Sequence, residues 1–143
     1  TVSSTIILKA DFQQMMSDMK NNQPWFEATG GMHAAALFDQ TGELLLVRED
    51  IGRHNAFDKV IGGAIRSEIP NKILGLSGRI GWELVAKAVR SNVEIIVAVG
   101  AISSAAETLA RSSGVTLVGF ASSKTPAVVG QLNHIIDKPS VNR

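Results

Sequence analysis

The segment Arg48-Glu49-Asp50-Ile51-Gly52-Arg53-His54-Asn55 crowds ionisable groups where an apolar run ends and a helical stripe begins. With Asp58 it places seven polar or charged side chains between positions 48 and 58, more than capping one helix requires. A histidine among carboxylates at such a corner suits proton transfer, metal ligation or anion binding. The deaminase form of metal ligation needs H-x-E and then P-C-x-x-C, because imidazole and thiolates hold the zinc while glutamate moves protons. Here the first corner reads His54-Asn55-Ala56, the next reads Ser77-Gly78-Arg79-Ile80, and the sequence contains no cysteine. Missing thiols rule out that zinc chemistry, disulfides and thiol nucleophiles alike. Neither G-x-S-x-G nor the phosphate loop G-x-x-x-x-G-K-[ST] occurs. A small-molecule enzyme using His54 with Asp50 stays open on these residues alone.

Elements of regular spacing must hold this corner. Thr5-Ile6-Ile7-Leu8 is a short strand or an arriving linker, and Asp11 is a candidate N-cap for a helix carrying Phe12, Met15, Met16 and Met19. That helix stops at Asn21-Asn22-Gln23-Pro24, and Thr29-Gly30-Gly31 supplies a turn. Extended segments at 33–38 and 43–47, joined by Asp39-Gln40-Thr41-Gly42, predict a hairpin. Ala56, Phe57, Val60, Ile61, Ala64 and Ile65 mark one buried face of a helix. Apolar runs then begin near Ile73, Ile95 and Val115, roughly 20 residues apart, close to the minimum for a strand plus a short helix. Helical patterns fall between them, each with an i,i+4 charge pair on its wet side, Glu83 with Lys87 and Glu107 with Arg111. Together these predict an α/β fold, a three-layer α/β/α sandwich around a mixed sheet with one antiparallel strand. Val128-Val129 and His134-Ile135-Ile136 fit either strand or short helix; residues 1–10 and 125–143 are taken as peripheral to one domain over 1–143.

In such sheets ligands bind beyond the carboxyl ends of the strands. Four strand-to-helix corners should share that edge. They offer Glu49, Asp50, Gly52, Arg53, His54 and Asn55; Ser77, Gly78, Arg79 and Glu83; Ser103 and Ser104 after Gly100; and Phe120 before Ser122-Ser123-Lys124. Glycines admit a close ligand, helix N-termini favour anions, and Arg53 and Arg79 present forks suited to phosphate. A phosphorylated or nucleotide-like ligand fits this set, with Phe120 or Trp82 available for stacking. Simpler roles exist for several members. Ser103 and Ser104 suit plain helix caps, Glu83 a solvated pair with Lys87, His33 a satisfied core histidine, and either aromatic a place in the core.

Bulk properties narrow the partners. Fourteen basic and thirteen acidic side chains leave a net charge of +1, which gives no electrostatic case for nucleic acid or a membrane surface. Hydrophobic residues at 45% and charged residues at 19% are ordinary for a globular protein, and no apolar run is long enough to span a bilayer. A cytoplasmic location is the default expectation, since no signal peptide is visible at the start.

Two stretches, TGGMHAAALFDQTGELLLVREDIGRHNAFDKVIGGAI and LSGRIGWELVAKAVRSNVEIIVAVGAISSAAETLARSSGVTLVGF, closely resemble the formate dehydrogenase accessory sulfurtransferase family, FdhD. The resemblance covers residues 25–121 and implies a cytidine-deaminase-like fold. It implies binding of a molybdenum or tungsten bis-molybdopterin guanine dinucleotide, with GDP as a mimic and no zinc. It further implies sulfur transfer to that cofactor from a cysteine desulfurase, for use by the formate dehydrogenase catalytic subunit, and a homodimer. The matching positions are Thr29, Gly30, Gly31, His33, Glu49, Asp50, Gly52, Arg53, His54, Asn55, Asp58, Lys59, Ser77, Gly78, Arg79 and Glu83. On this resemblance Arg53 and Arg79 take phosphate, Ser77 and Gly78 add hydroxyl and backbone contacts, and His54 and Asp50 orient the ligand. Members of the family carry sulfur on a C-x-x-C loop ahead of the T-G-G motif, so a chain starting at Thr1 without cysteine is expected to be a fragment beginning after that loop. The sequence departs from the family pattern after Ser122. The alternative is a chaperone module that binds the cofactor without transferring sulfur.

Overall fold

Long apolar runs become central strands, and the striped segments become the helices that cover them. The computed structural model describes residues 7–8, 11–23, 31–131 and 135–136. In chain order the elements are β1 (Ile7–Leu8), α1 (Phe12–Asn21), β2 (His33–Phe38), β3 (Leu44–Asp50), α2 (Arg53–Ser67), β4 (Ile73–Leu76), α3 (Trp82–Arg90), β5 (Ile95–Ala98), α4 (Ser104–Ser113), β6 (Thr116–Gly119), β7 (Ala127–Gly130) and β8 (Ile135–Ile136). Six strands form one sheet in the order β3-β2-β4-β5-β6-β7, while β1 and β8 pair in parallel beside it as a two-stranded sheet. No helix among the described residues is long and apolar enough to cross a membrane.

β4, β5 and β6 are parallel, and β2 runs against both β3 and β4. The mixed α/β sheet is as expected, with β2 the antiparallel strand. A second antiparallel strand, β7, pairs with β6 at the far side. It settles Val128-Val129 as strand. Gly130 ends it at φ +88°, where a Cβ would collide with the carbonyl oxygen of Val115, so the close approach to β6 depends on glycine.

Three layers result. α2, α3 and α4 pack on one face around Leu74, Leu76, Ile96 and Leu117. On the other face α1 buries Phe12, Met15, Met16 and Met19 over Ala36, Phe38, Ile73 and Ile95. Burial of each such large side chain contributes about 1.5–3 kcal/mol. Gly75 makes room beneath α1: a Cβ there would lie 2.6 Å from Phe38 Cε1 and 3.3 Å from Met16 Cε. Asp11 precedes α1, but its side chain makes no capping hydrogen bond. The hairpin between β2 and β3 is held by the Asp39 carboxylate, which accepts from the Thr41 and Glu43 amides at 2.8 and 2.9 Å. β3 runs on to Asp50 instead of stopping at Val47, because Arg48, Glu49 and Asp50 continue to pair with Ala35, Ala34 and His33. Only Ile51 and Gly52 separate strand from helix.

Candidate functional site

β3, β4, β5 and β6 point the same way, so their carboxyl ends share one edge, where β2 also begins, with His33 opposite Asp50. The four corners therefore meet on one edge as the sequence predicts, but only three lead into helices, because the chain after β6 turns back as β7. Their backbones are knitted beyond the regular strands. The Val99 amide donates to the Leu76 carbonyl at 3.0 Å, Gly100 to Gly78 at 3.0 Å, Phe120 to Gly100 at 3.0 Å and Ile80 to Ala101 at 2.9 Å. A Cβ on Gly100 would sit 2.9 Å from both the Arg79 nitrogen and the Gly78 carbonyl, so glycine is what lets these loops close. Ser77 is pinned as well: its amide donates to the Ala34 carbonyl at 3.1 Å, and its Oγ accepts from the Ala34 amide at 2.8 Å. The Gly78 and Arg79 amides donate to no described residue.

At the first corner the charged residues divide into braces and presented groups. Asp50 accepts from the Gly52 amide at 2.9 Å and pairs with Lys59 at 2.8 Å, and Lys59 also donates to the Glu49 carbonyl at 3.1 Å. Lys59 first, then the Gly52 amide, lowers the Asp50 carboxyl to about 2. Asn55 also hydrogen-bonds Asp50, and Gly52 gives α2 an N-terminus without a side-chain cap. Asp58 pairs with Lys87 at 3.1 Å, across from α2 to α3. The expected Glu83–Lys87 pair does not form: Lys87 turns to Asp58 on α2, and Glu83 stays exposed with Oε1 3.9 Å from His54 Nε2. Glu107 and Arg111 do pair as expected.

His54 and Arg53 remain. The His54 pKa is lowered, first by burial and then by the charges of Lys87 and Arg53, which outweigh Glu83 and Asp58. The imidazole is therefore neutral at pH 7. Arg53 Nε is buried and has no hydrogen-bond partner among the described residues. Neither Arg53 nor Arg79 ion-pairs with a carboxylate among the described residues. A buried guanidinium donor with nothing to donate to, at the start of an uncapped helix, suits an anionic group such as phosphate.

The third and fourth corners are less uniform. Ser103 caps α4, accepting from the Ala106 amide at 3.1 Å, whereas the exposed Ser104 contributes its carbonyl to the Thr108 hydroxyl. Phe120 is no core residue: it is 49% exposed and held at φ +50°. Trp82 at 54% and Ile51 at 78% are exposed too, as is Val99 in part, so an apolar row accompanies the charges along this edge. Gly31, His33 and Ser77 lie on the α1 side, where they line a cavity of about 730 Å³ with Met16, Met19, Gln23 and Val99. His33 is partly exposed and abuts Gly78, whose Cβ would meet its Nδ1 at 3.3 Å. Gly30, with Thr29 and His134, lies outside the described residues. Sequence reasoning placed Gly100 at the third corner but missed Val99, although it directly follows β5, and missed Gln23, whose place at a helix end gave no signal.

An α/β domain with exposed rings, and with guanidinium groups that pair with no carboxylate among the described residues, along the carboxyl edge of its sheet is the class that fold and site define. Residues 2–136 match the FdhD/NarQ family, and the chain belongs to that family. Sulfur carrier protein FdhD of Sulfolobus acidocaldarius is 49% identical over 105 residues, covering 71% of this chain and 42% of that protein. The protein of the same name from Mycobacterium tuberculosis is 50% identical over 115 residues, covering 78% of this chain and 42% of the relative. The chain thus spans less than half the length of these curated relatives. Among solved structures, a candidate formate dehydrogenase accessory protein from Desulfotalea psychrophila superposes with a TM-score of 0.84 at 26% identity, over 94% of this chain and 61% of that one.

Proposed function

We propose that this chain is the cofactor-holding part of a sulfur carrier that serves formate dehydrogenase maturation. On this reading the carboxyl edge binds a molybdenum or tungsten bis-molybdopterin guanine dinucleotide as cargo, with Arg53 and Arg79 toward its phosphates. The observation that carries it is the buried, partnerless Arg53 Nε at the uncapped start of α2. Family membership and the names of the relatives support the sulfur-carrying role. Sulfur comes from a cysteine desulfurase and the loaded cofactor passes to the catalytic subunit of formate dehydrogenase. The 143 residues contain no cysteine, so persulfide would ride on a thiol outside them. That same absence favours a second reading, in which these residues hold the cofactor without transferring sulfur.

Calorimetric titration with GDP tests the binding claim. Wild-type protein should bind, and Arg79→Ala should bind about ten-fold more weakly, as expected for losing one charge-assisted phosphate contact. Absence of heat with GDP, or equal affinity for the variant, contradicts the assignment. Incubation with a desulfurase and radiolabelled cysteine separates the two readings: label on the protein requires a thiol that these residues do not supply.

A further inference from the structure

The apolar stripe of α2 runs on past the core. Phe57, Ile61 and Ile65 stand four apart along one ridge of the helix. Phe57 is buried and Ile61 packs in part against the core, but Ile65 is 72% exposed. The buried face expected from spacing therefore stops one turn early. Ile65, with Ile61 and Gly62, borders a groove of about 380 Å³ whose far wall is Lys87 and Arg90 of α3.

Nothing among the described residues accounts for Gly62. Its neighbour Gly63 is explained by packing, since a Cβ there would come 3.1 Å from Leu46 Cδ2 on β3. At Gly62 a Cβ would meet only the movable end of Arg66, 3.4 Å from its Nη1. Glycine inside a helix is destabilising relative to alanine, and what it offers in return is close approach for another backbone. Charge marks the rim of the same groove. Lys87 is matched by Asp58, whereas Arg66 and Arg90 pair with no carboxylate among the described residues. A second copy of the chain is a poor occupant, because a two-fold contact would bring these arginines toward their like.

We infer that the groove between α2 and α3 docks an acidic amphipathic helix of a partner protein. Its apolar stripe lies over Ile61 and Ile65, its backbone passes Gly62, and its carboxylates meet Arg66 and Arg90. A rod seated between two helices is the shape such a groove accepts. The groove follows α2 and α3 toward their C-termini, away from the corners at their N-termini. The inference therefore does not depend on reading the carboxyl edge as a cofactor site.

Fluorescence anisotropy tests this with two labelled peptides of about 18 residues, long enough to hold a helix once seated. Both carry one leucine stripe, flanked by glutamates in the first and by lysines in the second. The glutamate peptide should bind about ten-fold or more tightly than the lysine peptide, and should weaken as salt is raised. Ile65→Ser removes the apolar contact and Gly62→Leu fills the groove, so each should weaken it about ten-fold. Neither variant should melt below wild type, since neither position is in the core. Arg66→Glu combined with Arg90→Glu should reverse the preference toward the lysine peptide. Equal binding of the two peptides, binding of neither, or unchanged binding in Ile65→Ser and Gly62→Leu overturns the inference. Light scattering that shows a wild-type dimer split by Gly62→Leu would give the groove to a second copy and overturn it too. So would binding to phosphatidylserine vesicles that Ile65→Ser abolishes, which would give the groove to a membrane surface.

Discussion

Asp50 is charged throughout the neutral range because Lys59 and the Gly52 amide both favour its carboxylate, which titrates near 2. A carboxyl group depressed in the fold contributes stability that is complete above its unfolded value of 3.8 and is lost as pH falls through about 2. Asp50→Asn should therefore lower the urea midpoint at pH 7 and remove part of the decline between pH 4 and 2. A wild-type-like acid profile in the variant would show that the brace contributes nothing. His54, one turn away, is governed by burial and by neighbouring cations. The adjacent charges looked alike in sequence, and only the side-chain partners separate a brace from a presented group. Phe120 is a third case. A bulky residue at positive φ is strained, yet its amide bonds Gly100 and its carbonyl accepts from the Ser123 amide and hydroxyl, which holds it there. Phe120→Gly should raise stability by about 1 kcal/mol, strain relief less the entropy glycine loses on folding, while weakening GDP binding. Lower stability with unchanged binding would assign the ring to packing.

At the scale of elements, the strands and helices were legible because their apolar spacing is regular. The ends were not. Arg48-Glu49-Asp50 read as a loop from polarity, yet pairing with β2 keeps it in β3. Ile80 stands at helical spacing from Leu84 but bridges to Ile102 before α3 begins. In both places backbone pairing with a distant segment outweighs local pattern, which no single stretch of sequence reveals. Ser77 shows the same effect at the site. It reads as a donor to ligand, and its oxygen also accepts from the Ala34 amide where the β2–β4 ladder ends, a role that leaves the O–H to donate. Ser77→Ala leaves that amide unpaired and should cost about 1–3 kcal/mol. Chemical denaturation measures it, and a loss well below that range would mean that water replaces the hydroxyl.

Over the whole molecule, the repeat near 20 residues specified parallel β4, β5 and β6, and with them the common edge on which the corners meet. The α1 cavity was not legible, since it depends on how far a helix stands off the opposite face of the sheet. Nor was β7, whose place beside β6 rests on Gly130 more than on its short apolar run. Under the proposed function, phosphate lies beside Arg53 where α2 faces α3. His54 sits among those charges and reports on them. Proton NMR of its imidazole across pH 4–8, with and without saturating GDP, is the direct measurement. Without ligand it should titrate below the ordinary 6.5, held down by burial, Lys87 and Arg53. With GDP the phosphate charge opposes those cations, and the titration should move upward. An imidazole whose titration is identical in free and GDP-saturated protein would place the phosphates elsewhere and contradict the account.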